Sequence, residues 1–286
     1  MTETNALREE SIELEALLLS RQYLYTLFHK LFGGTPDADV IQAVLSDTTA
    51  NTVEEFAGEN PAMQGLGRFL ADLHSCVDPS LLLESARDEY TRLFVGPAAL
   101  PAPVTESPYL TSDPTDFQEN TLAVRRIYRN HGLELVRLMR IPDDHAATMC
   151  AFLATLAAES AEALEAGDLP RLQALLRDQE QFVNGHVLTW ADQFARGTRK
   201  SKTAVLYPQM IEAFAAFATN DAALLSEAAL WAETAEAQVA GDAVALGARP
   251  GTTEAAAFAN LQKAWEALRD TRPYGIEDHE LVAVKS

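Results

Sequence analysis

Positive charge is scarce in this chain. Its 286 residues hold 22 Lys plus Arg against 42 Asp plus Glu, a formal charge of −20. Such a surface repels phosphate backbones and anionic headgroups, and no basic stripe overrides it, which argues against nucleic-acid and membrane-surface binding. A cationic partner, such as a peptide carrying arginines, is the ligand class that this charge attracts. Cysteine is nearly absent: Cys76 and Cys150 stand far apart without CxxC spacing, at core-facing helical positions, and are expected to be reduced, buried thiols. The first ten residues are polar and acidic where a secretory segment is basic and then apolar. No apolar run reaches the roughly 18–20 residues that span a bilayer, so direct membrane insertion is not expected. The cytoplasm is the expected compartment.

Strand signals are also missing, with no alternating β-branched runs and no Asn-Gly or Asp-Gly hairpin. Apolar residues instead recur at helical spacing, as in Leu14, Leu17, Leu18, Leu24, Tyr25, Phe28, Leu31 and Phe32, with Arg21 on the same steps. Gly33-Gly34 stops that helix, and Thr35-Pro36, Asn60-Pro61, Asp78-Pro79 and Ile141-Pro142 read as restarts. Helices are predicted near 8–33, 36–46, 61–76, 79–95, 115–131, 142–166, 169–196, 201–219, 221–240 and 253–270. The connections are mostly short and no solenoid-length repeat stands out, so the fold class is all-α, a compact helical bundle.

There is no Walker loop, dinucleotide glycine fingerprint, GxSxG or HExxH, and the six histidines show no ligand spacing on one helix face. No catalytic residue, metal site or cofactor is expected. Asp143-Asp144-His145 offers ligand-type side chains, but adjacent helical residues point in different directions. Just after Pro142 these carboxylates also suit a first helical turn, where they oppose the positive end of the macrodipole. A helical metal-dependent hydrolase using these three residues is the remote alternative.

The segment from Gly96 to Tyr109 departs from the helical pattern. Pro97, Pro101, Pro103 and Pro108 stiffen it, while Leu100, Val104 and Tyr109 are apolar on a loop that is ordinarily polar. It reads equally as a stiff crossover between helices or as a preorganised wall of a peptide groove, where rigidity lowers the ordering cost of binding.

The combination of segments carries more. Glu89-Tyr-x-x-Leu-Phe-x-Gly-Pro, the proline-rich loop to Glu106-Ser-x-Tyr109, and Pro142-Asp-Asp-His145 resemble the TorD/DmsD/NarJ family of redox-enzyme maturation chaperones. Phe182-Val-x-x-His186-Val-Leu-x-Trp190-Ala-x-x-Phe194 is similar to that family's His-Leu-x-x-Trp segment, and Tyr207 to its next helix. The resemblance covers roughly residues 10–225. It implies a TorD-like chaperone domain over 1–225 and a helical C-terminal extension over 226–286, packed on the same domain. It further implies a cytoplasmic, non-enzymatic protein, monomeric or homodimeric. Its partner would be the twin-arginine leader and apo form of a molybdopterin oxidoreductase of the dimethyl-sulfoxide or trimethylamine-oxide reductase type, held until cofactor insertion and then released for Tat export. The alternative within the family is a NarJ-like assembly chaperone for a reductase subunit that is not exported. Carried over by motif, the leader-binding positions are Leu93, Phe94, Gly96, Pro97, Pro101, Pro103, Glu106, Tyr109, Asp144 and His145. Leu93, Phe94 and the prolines would receive the leader's apolar stretch, and Asp144 with Glu89 or Glu106 would face its arginines. Bulky loop aromatics of some members are replaced here by Val104-Thr105-Glu106-Ser107. The extension is expected chiefly to cover the bundle, with self-association and client contact as alternatives.

Overall fold

The apolar run around Leu14–Phe32 leaves little polar stripe to face water, and a helix apolar around most of its girth must be buried. In the computed structural model, which describes residues 3–58, 60–76, 78–96, 100–201, 204–239 and 246–284, this run forms helix α1 (Glu3–Gly33). Every residue from Ser20 to Gly34 is buried. Around it lie α2 (Ala38–Val44), α3 (Asp47–Glu55), α4 (Pro61–Cys76), α5 (Pro79–Tyr90), α6 (Ser107–Leu110), α7 (Pro114–Asn130) and α8 (Ala146–Glu165). They are followed by α9 (Leu169–Phe182), α10 (Ala191–Thr198), α11 (Leu206–Val239) and α12 (Thr253–Arg269). The fold is all-α, as the periodicity predicts.

α1 and α8 share the most extensive interface in the molecule. Ala147 and Cys150 are buried on α8 beside α1, and such small side chains let the two backbones approach closely. α8 is long and apolar enough to cross a membrane, which the sequence reading did not anticipate. Twelve of its 20 residues are buried inside the bundle, which accounts for that apolarity. Cys150 is a buried free thiol; the side chain of Cys76 lies outside the described residues. On the opposite side of α1, Phe28 and Phe32 meet Phe214 of α11 edge-on, at 5.3 and 5.6 Å between ring centroids.

One polar network is sunk into this core. Arg21 Nε donates to Asp221 at 2.5 Å and its Nη1 donates to Gln179 at 2.8 Å, while the Tyr25 hydroxyl donates to Asp221 at 2.7 Å. Arg21 and Asp221 are both fully buried, so the network ties α1, α9 and α11 together where neither charge can turn to water. It also explains a difference from the sequence reading, which places a break near Asn220-Asp221. The Asp221 carboxylate is occupied by α1, and Asn220 Nδ2 donates to Phe56 O, so neither side chain competes for the helical backbone and α11 runs unbroken from Leu206 to Val239. It passes straight through residue 225, where the sequence places the start of the extension.

Other boundaries differ as well, and the helix predicted over 169–196 divides into α9, a π turn at Val183–Val187 and α10. α8 begins at Ala146 rather than near residue 142: His145 is its N-cap, with Nδ1 accepting from Ala147 N, so Asp143 and Asp144 precede the helix instead of occupying its first turn. α2 is capped by Asp37 rather than Thr35. α3, capped by Ser46, was not expected, because its apolar face is short.

Strands appear where none was predicted. β1 (Leu133–Leu135) pairs antiparallel with β2 (Leu281–Ala283), elements too short to show alternation in sequence. The pairing draws the C-terminal segment across the bundle beside α8. Thr35 N donates to Tyr274 O, and Arg137 and Arg140 both reach Asp278, at 2.9 and 2.8 Å. A Cβ on Gly33 would stand 2.8 Å from Ile276 and 3.0 Å from Ala147, so glycine there lets helix and tail close together.

Asp221→Ala strands the Arg21 guanidinium in the core and is expected to cost about 3–5 kcal/mol. Urea denaturation checks this: an unchanged midpoint would show that the network does not hold the helices.

Candidate functional site

Of the carboxylates in the sequence motifs, Glu89 comes first. It is buried at the end of α5, and its Oε2 accepts from Leu206 N at 3.0 Å and Tyr207 N at 3.1 Å. The first amides of a helix have no partner within it, and here Glu89 supplies one for α11. Beyond Tyr90 the helix widens into a π turn, in which Gly96 N donates to Thr91 O five residues back at 2.7 Å. Widened turns of this kind are often found at functional sites. The turn sends Leu93 into the core and leaves Phe94 half-buried against Tyr90 and Tyr207, at centroid distances of 5.1 and 5.2 Å. Gly96 then reverses direction at φ +24°. Pro97, with residues 98 and 99, lies outside the described residues.

The loop beyond is held along its length. Glu106 N donates to Asp144 O and Ala146 N donates to Val104 O, so residues 104–106 run antiparallel to 144–146. Ala102 and Val104 point inward while Pro101 and Pro103 are exposed. Gly197 of α10 makes room for this course: a Cβ there would lie 2.6 Å from that of Ala102. At the loop's end Tyr109 donates its hydroxyl to Pro103 O at 2.6 Å and stacks on Trp190 at 5.5 Å. Partial burial pushes the Tyr109 hydroxyl well above its ordinary pKa, so it remains a donor.

The remaining carboxylates are the pins. Asp144 accepts from Ser107 N at 2.8 Å, Ser107 Oγ at 2.5 Å and Thr121 Oγ1 at 3.2 Å. Glu106 accepts from Asn120, from His186 Nδ1 at 3.0 Å and from Thr189 at 3.1 Å. Both are fully buried. Asp143 holds Arg125 of α7 with both oxygens, the shortest contact being 2.6 Å. The structure thus brings Glu106, Asp144, His145, Pro101, Pro103 and Tyr109 into one assembly and sets Leu93 and Phe94 at the other end of the loop. Asp143, Asp144 and His145 face three different partners, and among the described residues no group of His, Cys, Asp and Glu converges as a metal-holding set.

Sequence reading missed the acceptors' partners. Asn120, Thr121 and Arg125 lie on α7 without motif spacing, and only a contact map could have matched them to residues 106, 143 and 144. His186 was visible in its segment, which forms a second π turn in which Leu188 N donates to Val183 O. Two further histidines complete the assembly. His279 from the C-terminal segment packs against His145 with ring centroids 4.1 Å apart, and His29 of α1 approaches the Ala147 carbonyl through Nδ1 at 3.0 Å. Burial lowers all three, His29 to about 3 and His279 to about 4.

Beside the pinned loop lies a groove of about 460 Å³, lined by Thr121, Leu122, Arg125, Met139, Ile141 and Pro142 among others. Leu122 and Met139 are exposed, Met139 by 81%, and Met139 stands at φ +66°, a conformation that costs a non-glycine residue energy. Through Thr121 and Arg125 the groove adjoins Asp144 and Asp143.

Two outcomes are expected. The three histidines are held neutral in the fold but protonate in the unfolded chain, so their contribution is fully present above about pH 6.5 and is lost as pH falls toward 4. His279→Gln should therefore flatten the pH dependence of the urea midpoint across that window, and an unaltered slope would contradict the assignment. Asp144→Ala should raise amide hydrogen exchange at residues 105–110 by about tenfold or more while the α1 amides stay protected. Equal loosening of both would place Asp144 in the global fold rather than in the loop.

The family model of the nitrate reductase delta subunit matches residues 59–196, which hold the π turns, the loop and the Asp143–His145 segment. The chain is 28% identical over 111 residues to the Tat proofreading chaperone DmsD of Salmonella typhimurium (strain LT2), covering 39% of this chain and 48% of that one. The same figures hold for the Tat proofreading chaperone DmsD of Salmonella paratyphi A. A probable Tat proofreading chaperone DmsD of Haemophilus influenzae is 27% identical over 126 residues, covering 44% and 55%. The chain spans about half the length of the curated relatives it matches. No solved structure matches it.

Proposed function

From this likeness we propose that the chain is a member of the TorD/DmsD/NarJ family and a redox-enzyme maturation chaperone of the DmsD kind. In this reading it binds the twin-arginine leader and apo form of a molybdopterin oxidoreductase in the cytoplasm, as monomer or homodimer, and withholds it from Tat export until the cofactor is in place. The observation that carries the reading is the pinned loop: α7, the Asp144–Ala146 stretch and the second π turn spend hydrogen bonds on fixing an otherwise irregular segment in which Pro101, Pro103 and Pro108 stay exposed. A scaffold this well determined lowers the ordering cost when a flexible peptide docks.

The ten positions taken from the motifs then divide by burial. Phe94, Pro101, Pro103 and Tyr109 are open enough to meet a peptide. Glu106, Asp144 and His145 are buried and act through the loop they hold, Leu93 is buried in the core at the π turn, and Gly96 sets the turn after it. Pro97 stays among the proposed positions on motif grounds alone. We assign the leader's apolar stretch to the neighbouring groove of Leu122, Met139, Ile141 and Pro142. The leader's arginines are drawn first by the chain's charge of −20, which accelerates encounter and makes it salt-sensitive. The division into a domain over 1–225 and an extension over 226–286 belongs to the same proposal, with the extension acting as cover for α1 and α8.

The description of the matching family model favours a second reading, an assembly chaperone for a reductase subunit without an exported leader. Pull-down with mass spectrometry separates the two by whether the captured reductase carries a twin-arginine start.

The test of the first reading is titration of a synthetic twin-arginine leader from a molybdopterin oxidoreductase. Leu122→Asp/Met139→Asp is expected to weaken binding by about tenfold or more without lowering the thermal midpoint, since both side chains are exposed. No binding by the unaltered protein would overturn leader recognition. Binding unaffected by the double substitution would remove the groove from the site.

A further inference from the structure

Lys30 lies near the C-terminal end of α1 and is 2% exposed. A buried ammonium is costly unless a carboxylate answers it. Among the described residues none forms an ion pair with it: Nζ donates to the Thr271 carbonyl at 3.0 Å, using one of its three donors. Asp37, Asp270 and Glu280 act on it only from a distance, and Arg272 opposes them. Burial, and then Arg272, draw the ammonium down to about 8, so it still carries its charge at neutral pH. The other buried cation, Arg21, is answered in full by Asp221.

Lys30 also lines an open groove of about 370 Å³ between α1, α8, α12 and the C-terminal segment. Arg272 and Arg269 line the same groove, with Glu280 as its single carboxylate. Arg272 is held in place by the carbonyls of Arg269 and Thr271, each at 2.9 Å, and stands 3.8 Å from Glu280. Arg269 is braced over the Trp265 ring at 4.8 Å, with its Nε on Asp270. Three cations thus converge on one recess of a chain whose formal charge is −20. Most of the groove is built from parts outside residues 59–196, the span matched by the family model.

We propose that this groove binds a small oxyanion, free phosphate or the phosphate of a monoester, with Lys30 at its base, Arg272 beside it and Arg269 at the mouth. The ligand would complete the donors of Lys30 and supply the negative charge that the fold withholds. Trp265 gives the wall an aromatic surface against which the body of a monoester can lie.

Calorimetric titration of the full chain with inorganic phosphate at neutral pH and constant ionic strength tests the site. Saturable one-to-one binding is expected, weakened about tenfold or more in Lys30→Met and severalfold in Arg272→Gln, because charge-assisted hydrogen bonds are lost. Arg196→Gln, at an exposed side chain on α10, should bind as the unaltered protein does. Phenyl phosphate binding more tightly than phosphate would assign the site to a monoester, and equal affinity to the free ion. Without ligand, Lys30→Met should match or exceed the unaltered protein in urea, since an unanswered charge has been removed. Phosphate should raise the midpoint of the unaltered protein but not that of this variant. Absence of saturable binding, equal affinity in Lys30→Met, or the same stabilisation from chloride at matched ionic strength would each overturn the proposal. Should Lys30→Met not fold, unchanged affinity in surface-exposed Arg272→Gln overturns it alone.

Discussion

Asp144 accepts from the amide and hydroxyl of Ser107 and from Thr121 on α7, while its own carbonyl receives Glu106 N. This one residue joins the proline loop, α7 and the entrance of α8. The rest of the site depends on it, because an irregular segment has no internal ladder of hydrogen bonds and must borrow partners from elsewhere. Once residues 104–107 are fixed, Glu106 is delivered to His186 and Thr189, and Tyr109 to the face of Trp190. In a dry interior such bonds are strong when complete and costly when broken, so the loop holds one shape.

The same logic redistributes the chemistry of the motifs. Carboxylates that suggest direct contact with an arginine-bearing peptide are spent internally: Glu89 on the first amides of α11, Glu106 and Asp144 on the loop. What they hold outward is a surface, which in the proposed reading meets the partner: Pro101 and Pro103, the half-buried Phe94, and the apolar groove beside Thr121 and Arg125. Their role is positional, with the charge of the whole chain left to act at long range.

The C-terminal segment completes this arrangement from the other side. It threads β2 against β1, clamps Asp278 between Arg137 and Arg140, and sets His279 against His145. It therefore buttresses the stretch that leads into Asp143 and Asp144. In doing so it also walls the basic groove over Lys30, so one segment shapes two separate recesses.

The sequence alone determined the helical class, most helix positions and the segments that matter. Those are local properties: apolar spacing records which face is buried, and proline, glycine and capping residues act within a few positions of themselves. Glu89, the proline loop and Asp143–His145 were legible as a set only through their resemblance to the TorD/DmsD/NarJ family. Tertiary structure alone decided what they touch. Asn220-Asp221 reads as a break until Arg21, 200 residues away, takes the carboxylate. Pro142 reads as a helix start until His145 caps α8, and three-residue strands separated by nearly the whole second half of the chain show no pattern of their own. A hydrogen bond or an ion pair is specified by two partners, and the sequence displays only one at a time. The Gly96–Tyr109 loop shows the difference most clearly: its stiffness was written in its prolines, but its shape was set by side chains on α7, on α10's approach and at the head of α8.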